Sequence, residues 1–161
     1  MRGYTDPPLL GGGCSSRGVL RGEKHAWQHY DLSMSIRIVR LGSERHKEEG
    51  LRVGTVRRPP RGVRRERLAA DDWYDVWLPQ LAPSAELVKQ AQGSTTPRDW
   101  AAFARKYRSE MKAADNARLL AFLAALSQTT NLSVGCYCAE ESHCHRSVLR
   151  DLLAEHGARI V

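Results

Sequence analysis

The sequence predicts an α/β domain with a mainly parallel sheet and flanking helices, and three observations predict it. Short apolar or alternating runs, "SIRIV", "LRVGTV" and "NLSVGCYC", have the length and composition of strands. Between the second and third of these runs lie helical patterns with recognisable starts and stops. Strands separated by helices need long crossovers, which make neighbouring strands parallel.

The elements follow in order. Residues 1–33 hold a Gly triplet, a Pro pair and scattered aromatics without a helical or alternating period, so they read as a disordered or loosely attached extension. The single α/β domain is expected over residues 34–161. Met34 opens "MSIRIVRL", where Ile36 and Ile38 alternate as in a first strand. "LRVGTV" at 51–56 is a second strand, and "RRPPRGVRRER" after it is a basic loop whose prolines and glycine exclude regular helix. In "DDWYDVWLPQL", Trp73, Val76 and Trp77 stand at helical spacing, which predicts an amphipathic turn or two ended by Pro79. Ser84 caps a short helix in "APSAELVKQ". Thr96, Pro97 and Asp99 form the clearest helix start, and Trp100, Phe103, Tyr107 and Met111 follow on one face. That spacing assigns the aromatic residues, Trp73 and Trp77 included, to core packing rather than to a stacking platform. "DNARLLAFLAALSQ" is a more apolar helix. "HRSVLRDLLAEHG" is another, with Gly157 at its C-terminal cap, and "ARIV" is a terminal strand. There is no internal repeat.

Composition excludes several classes. At 161 residues, 42% hydrophobic and 27% charged, the chain suits one globular domain with a real core. No apolar run approaches the roughly 20 residues that span a bilayer. The N-terminus has no continuous apolar stretch after Arg2, so it makes a poor signal peptide and the expected compartment is the cytoplasm, where thiols stay reduced. The net charge of +7 is local: residues 34–68 carry eleven Arg or Lys against four Glu, and the segments on either side nearly balance. An anionic small molecule or nucleic acid is the partner such a segment suits.

The chemistry concentrates in "VGCYCAEESHCHRSVLRDLL", residues 134–153. Cys136 and Cys138, two apart on a strand, share a face, and they lie at a C-terminal strand end, where parallel α/β sheets place ligand crevices. Cys144, His145 and Arg146 open the next helix, whose free N–H groups and dipole favour anions. Three readings stay open. A thiolate beside an anion cradle is the first; Cys138 to Arg146 encloses seven residues with no glycine and two glutamates, which departs from the cysteine, five residues, arginine loop of phosphatases and rhodaneses. The second is a zinc site of Cys136, Cys138, Cys144 and either His143 or His145. The third makes the cysteines small buried hydrophobes and His145 a helix-start residue. Likewise the loop with Arg57, Arg58, Arg61, Arg64, Arg65 and Arg67 binds phosphates or merely solvates a surface.

These stretches together resemble the domain of unknown function 488 family, the YeaO-like bacterial proteins, over about residues 36–156. The family's aspartate–arginine–leucine–tryptophan–proline–arginine–glycine loop is similar to "VRRPPRG" at 56–62, with Val56 in place of the aspartate and Pro59 in place of the tryptophan. "WLPQLAPSAEL" resembles its tryptophan–leucine and Ala-Pro-Ser segment, and Trp100, Phe103, Tyr107 and Glu110 its next helix. Cys138, Glu140 and "CHRS" at 144–147 are similar to the endings of several members. The resemblance implies an α/β fold and brings no established activity. The combined expectation is an anion-accepting pocket at the C-terminal sheet edge. Cys138 or Cys144 is its nucleophile, His145 its acid or base, and Arg57, Arg61 and Arg146 its anion clamps, with no metal. A nucleic-acid or nucleotide module without catalysis is one alternative, and a zinc-binding interaction protein is another. Neither a cofactor nor an oligomeric state follows from the residues.

Overall fold

The protein is described by a computed structural model over residues 34–93 and 96–161. The expected N-terminal extension, residues 1–33, lies outside the described residues. The domain is α/β, with four parallel strands: β1 (Ile36–Arg40), β2 (Leu51–Gly54), β3 (Val76–Trp77) and β4 (Leu132–Cys136), in spatial order β1-β4-β2-β3. Three helices, α1 (Ala85–Gln92), α2 (Pro97–Met111) and α3 (Ala114–Leu126), separate β3 from β4, and α4 (His145–Glu155) follows β4. No helix among the described residues is long and apolar enough to cross a membrane.

Local chemistry sets the helix ends. The Ser84 hydroxyl accepts the Leu87 N–H, and Thr96 with Asp99 closes a reciprocal capping box. Gly157, at φ 85°, takes the left-handed conformation that ends α4. Phe103, Tyr107 and Met111 of α2 join Leu120 and Leu123 of α3 and Val148, Leu149, Leu152 and Leu153 of α4. They pack on Ile36, Val53, Leu132 and Val134, so all these side chains bury one face of the sheet. The C-terminal segment "ARIV" adds only a single parallel bridge, Ile160 to Ile36.

Residues 73–77 depart from the helical expectation. Val76 and Trp77 form the edge strand β3, pairing with Val53 and Gly54. Asp75 accepts the Arg52 N–H at 2.8 Å and both Arg45 Nη atoms at 2.8 Å, which holds the chain extended. Tertiary pairing overrides the spacing. Trp77 is therefore 41% exposed rather than core, with its Nε1–H on the Val56 carbonyl. Of the other aromatic residues assigned to the core, Phe103 and Tyr107 are fully buried and Trp73 and Trp100 partly so.

Among the described residues, no α-helix packs on the opposite face of the sheet. That face presents Arg52, Gly54, Ser133 and Gly135, and the ten-residue β1–β2 connection and the Asp72–Tyr74 turn cover it. A Cβ on Gly54 would stand 2.6 Å from the Tyr74 ring, and one on Gly135 equally close to Leu41, so glycine is what lets this cover approach. Arg52, 0% exposed, organises it. Its guanidinium donates to the Glu49 carboxylate at 2.7 Å, to the Ser43 carbonyl at 2.8 Å and to the Asp72 carbonyl at 2.6 Å. Ser133 Oγ completes the Glu49 shell at 2.6 Å. Desolvation pushes the Glu49 carboxyl up, but donation from Arg52, Ser133 and the His46 N–H outweighs it and leaves the pKa below the ordinary value.

Removing one partner of such a pair strands a buried charge, at a cost of about 3–5 kcal/mol. Arg52→Met is expected to lose that much in urea unfolding at neutral pH, and Arg52→Met with Glu49→Leu to recover part of it. A depressed carboxyl pKa stabilises fully above the unfolded value near 4.3, and the contribution is lost as pH falls below it. The wild type should therefore lose stability below about pH 4 more steeply than the double variant. Equal unfolding midpoints for Arg52→Met and wild type would contradict this account.

Candidate functional site

β4 lies between β1 and β2, so Cys136 ends at the middle of the C-terminal sheet edge. The loop that leaves β2 and the turn that leaves β4 emerge side by side there. They enclose, with α1 and the start of α2, a cavity of about 690 Å³. Its wall carries Arg57, Arg58, Arg61 and Lys89 from one side and Cys136, Cys138, Cys144 and His145 from the other. Such a crevice between neighbouring parallel strands is where open α/β sheets bind ligands.

The thiols converge. Strand geometry ends at Cys136, so Cys138 lies just past β4 rather than on it, yet the two sulfurs are 3.6 Å apart. All three Sγ atoms, including that of Cys144, lie within 4.8 Å of one another. Cys136 and Cys144 are buried and Cys138 is exposed, so one thiol faces the cavity over two that back it. Hydrogen bonds from the Cys136 and then the Cys144 thiol, with the Arg146 charge behind them, hold Cys138 well below the ordinary thiol pKa. The same bonds push Cys144 well above it, and Cys136 also rises.

His145 is fixed behind this cluster. Its Nε2 lies 2.8 Å from the Thr55 carbonyl, which can only accept, so Nε2 carries the proton. Nδ1 then offers a lone pair 3.8 Å from Cys144 Sγ. Burial lowers the His145 pKa to about 4, so the ring is neutral at neutral pH. Arg146, also buried, donates to the Ala139 carbonyl at 3.1 Å and leaves Nε without a partner among the described residues. It is not among the lining residues; it braces the turn from below.

The arginine loop is pinned at two points. Arg57 donates from Nε and Nη2 to the Pro83 carbonyl and from Nη2 to that of Ala82, at 3.0–3.1 Å. Tyr137 Oη donates to the Arg58 carbonyl at 3.2 Å, so a residue between two of the thiols holds the loop. Desolvation raises the Tyr137 pKa and keeps it a donor. The Arg58, Arg61 and Lys89 side chains have no partner among the described residues. Val56, where the resembling loop has aspartate, is buried, and Arg57 is oriented by the Ala82 and Pro83 carbonyls. Neither Glu140 nor Glu141 lines the cavity, and Glu141 pairs instead with Arg150. Arg64, Arg65 and Arg67 lie elsewhere on the loop, and Arg67 pairs with Asp71.

Of the residues expected from the sequence, Arg57, Arg61, Cys138, Cys144 and His145 line this one cavity and Arg146 does not; three neighbours were not expected. Lys89 carries no motif, Thr55 acts through its main-chain carbonyl, and Tyr137 signals itself only by standing between two cysteines.

Fold and site together define an α/β domain with a thiol-floored, cation-rimmed crevice at its sheet edge. The chain belongs to the DUF488 family: the family model for DUF488-N3a, described as the active DUF488-N3 subclade, matches residues 36–157. Neither the curated proteins nor the solved structures give a match.

Three sulfurs this close could hold a soft cation such as zinc, at about 2.3 Å each. The surroundings oppose it. Arg57, Arg58, Arg61 and Lys89 line the same cavity and Arg146 lies beneath, a charge set that repels a divalent cation and attracts an anion. Protein purified without a histidine tag is therefore expected to carry far less than one zinc per chain by elemental analysis. About one zinc per chain, lost on Cys136→Ser, would contradict this.

Proposed function

We propose that the crevice binds a small anionic group, phosphate or carboxylate, and that Cys138 is a thiolate nucleophile toward the molecule bearing it. The observation that carries this reading is the shared wall: the unpaired cations of the arginine loop and the one exposed thiol of the cluster line a single cavity. Arg61, with Arg58 and Lys89, clamps the anion. Arg57 shapes the loop and has one guanidinium nitrogen to spare, and Arg146 holds the charge of the thiolate from beneath.

The roles divide by proton inventory. Cys138 enters as thiolate and attacks an electrophilic atom next to the anionic group, forming a bond through sulfur as the leaving group departs with its electron pair. Cys144 keeps its proton and stands within reach to supply it to that leaving group. Having given up its proton, Cys144 is restored by one from water; His145 is neutral, with its Nδ1 lone pair toward Cys144, so of the acid and base roles only the base remains to it at neutral pH. Reduced thiols are a requirement, which fits the cytoplasm.

The test is alkylation. Iodoacetamide should modify Cys138 first, at a rate nearly constant from about pH 8 to about pH 6, whereas an ordinary thiol slows roughly tenfold per pH unit below its pKa of about 8.5. Inorganic phosphate should slow the reaction, and Arg58→Ala with Arg61→Ala should weaken that protection by about tenfold or more, as loss of charged hydrogen bonds implies. A rate that titrates near pH 8.5, or is indifferent to phosphate, would overturn the reading.

A further inference from the structure

A second cavity adjoins the first. About 480 Å³ in volume, it opens at the end of β1 and shares Pro60, Arg61 and Tyr137 with the thiol cavity. Arg61 and Tyr137 thus form a ridge with a concavity on either side. The far wall of the second cavity carries Arg40, the last residue of β1, and Trp73. The Trp73 and Tyr137 rings meet edge to face at 5.6 Å. Neither Arg40 nor Arg61 has a side-chain partner among the described residues, whereas Arg45, Arg52 and Arg67 of the same basic segment are consumed by acids.

We propose that the ligand is single-stranded nucleic acid laid across this ridge, with one phosphate in the thiol-floored cavity and the neighbouring nucleotide in the cavity of Arg40 and Trp73. The proposal rests on the anion-site reading and extends it from a single group to a chain. Three features favour a chain over an isolated anion. The two cavities are contiguous and share a cation, as successive phosphates of one backbone require. Arg58 and Arg61 continue into a loop whose Arg64 and Arg65 are exposed, so positive charge extends beyond the cavities. Aromatic side chains interleaved with unpaired cations are how single strands are held without duplex geometry, each base contributing a face to stack and each phosphate a charge. Both cavities are concave, and an unpaired strand can turn its groups into them, whereas a duplex presents only its outer phosphates.

The experiment measures protection of Cys138 from iodoacetamide in the full chain by inorganic phosphate and by an oligothymidylate of about twelve nucleotides, within the span such sites cover. The oligothymidylate should protect at a concentration about a hundredfold below that of phosphate, with an affinity that falls steeply as salt rises. Arg40→Ala should weaken oligothymidylate protection by about tenfold and leave phosphate protection unchanged; Arg40→Glu, at the same exposed position, should weaken it further. Phosphate protection without an oligothymidylate advantage overturns the chain and leaves the anion site standing. Equal protection by polyglutamate shows a general polyanion surface and also overturns it. No protection by either phosphate or oligothymidylate overturns both readings.

Discussion

A parallel sheet must be covered on both faces, and among the described residues α-helices cover one of them. The other depends on the buried Arg52–Glu49 pair. Its fork gathers the Glu49 carboxylate and the Ser43 and Asp72 carbonyls, so that a loop and a turn close over Ser133, Gly54 and Gly135. Desolvating two charges is unfavourable, and only a nearly complete shell of hydrogen bonds offsets it. That requirement fixes the Asp72–Tyr74 turn, which in turn places Trp73 against Tyr137 and brings Tyr74 onto Gly54.

The site inherits its geometry from this cover. Val56 sits in the small second core with Leu41, Leu68, Tyr74, Cys136 and Cys144, so the start of the arginine loop and the thiol floor are packed into one cluster. From there the loop can only run over the turn that follows β4, where Tyr137 and the Ala82–Pro83 carbonyls hold it. Cations and thiols meet because a common apolar cluster lies beneath both. The local field then makes the exposed thiol the acidic one, since the two buried thiols donate to it and Arg146 stands behind.

Much of this was legible in the sequence where the signal is local. The Thr96–Asp99 capping box, the Ser84 cap, the α2 and α4 apolar faces and the strand entering Cys136 all follow from neighbours within a few residues. What misled was long-range. "LRVG" is the strand its composition implies, but its burial is not legible there: Leu51 is 47% exposed and Arg52 fully buried, because the second face is covered by residues that only the fold brings there. Trp73, Val76 and Trp77 have helical spacing, but Asp75 is held by Arg45 and Arg52 and the segment is pulled into the sheet edge. The candidate site was legible in its residue types and in its place at the sheet edge. Which arginines are spent on carbonyls and acids, and which remain for a ligand, depends on partners up to some thirty positions away.

The central claim is that the arginine loop and the thiol cluster serve one anion. A crystal structure grown with tungstate, a heavy tetrahedral oxyanion, tests it most directly. The account predicts tungstate in the crevice between β2 and β4, within hydrogen-bond distance of the Arg61 guanidinium and in contact with Cys138 Sγ. Tungstate bound only on the outer surface of the 64–67 segment, with the crevice empty at saturating concentration, would contradict it and return Cys136 and Cys144 to the role of buried packing residues.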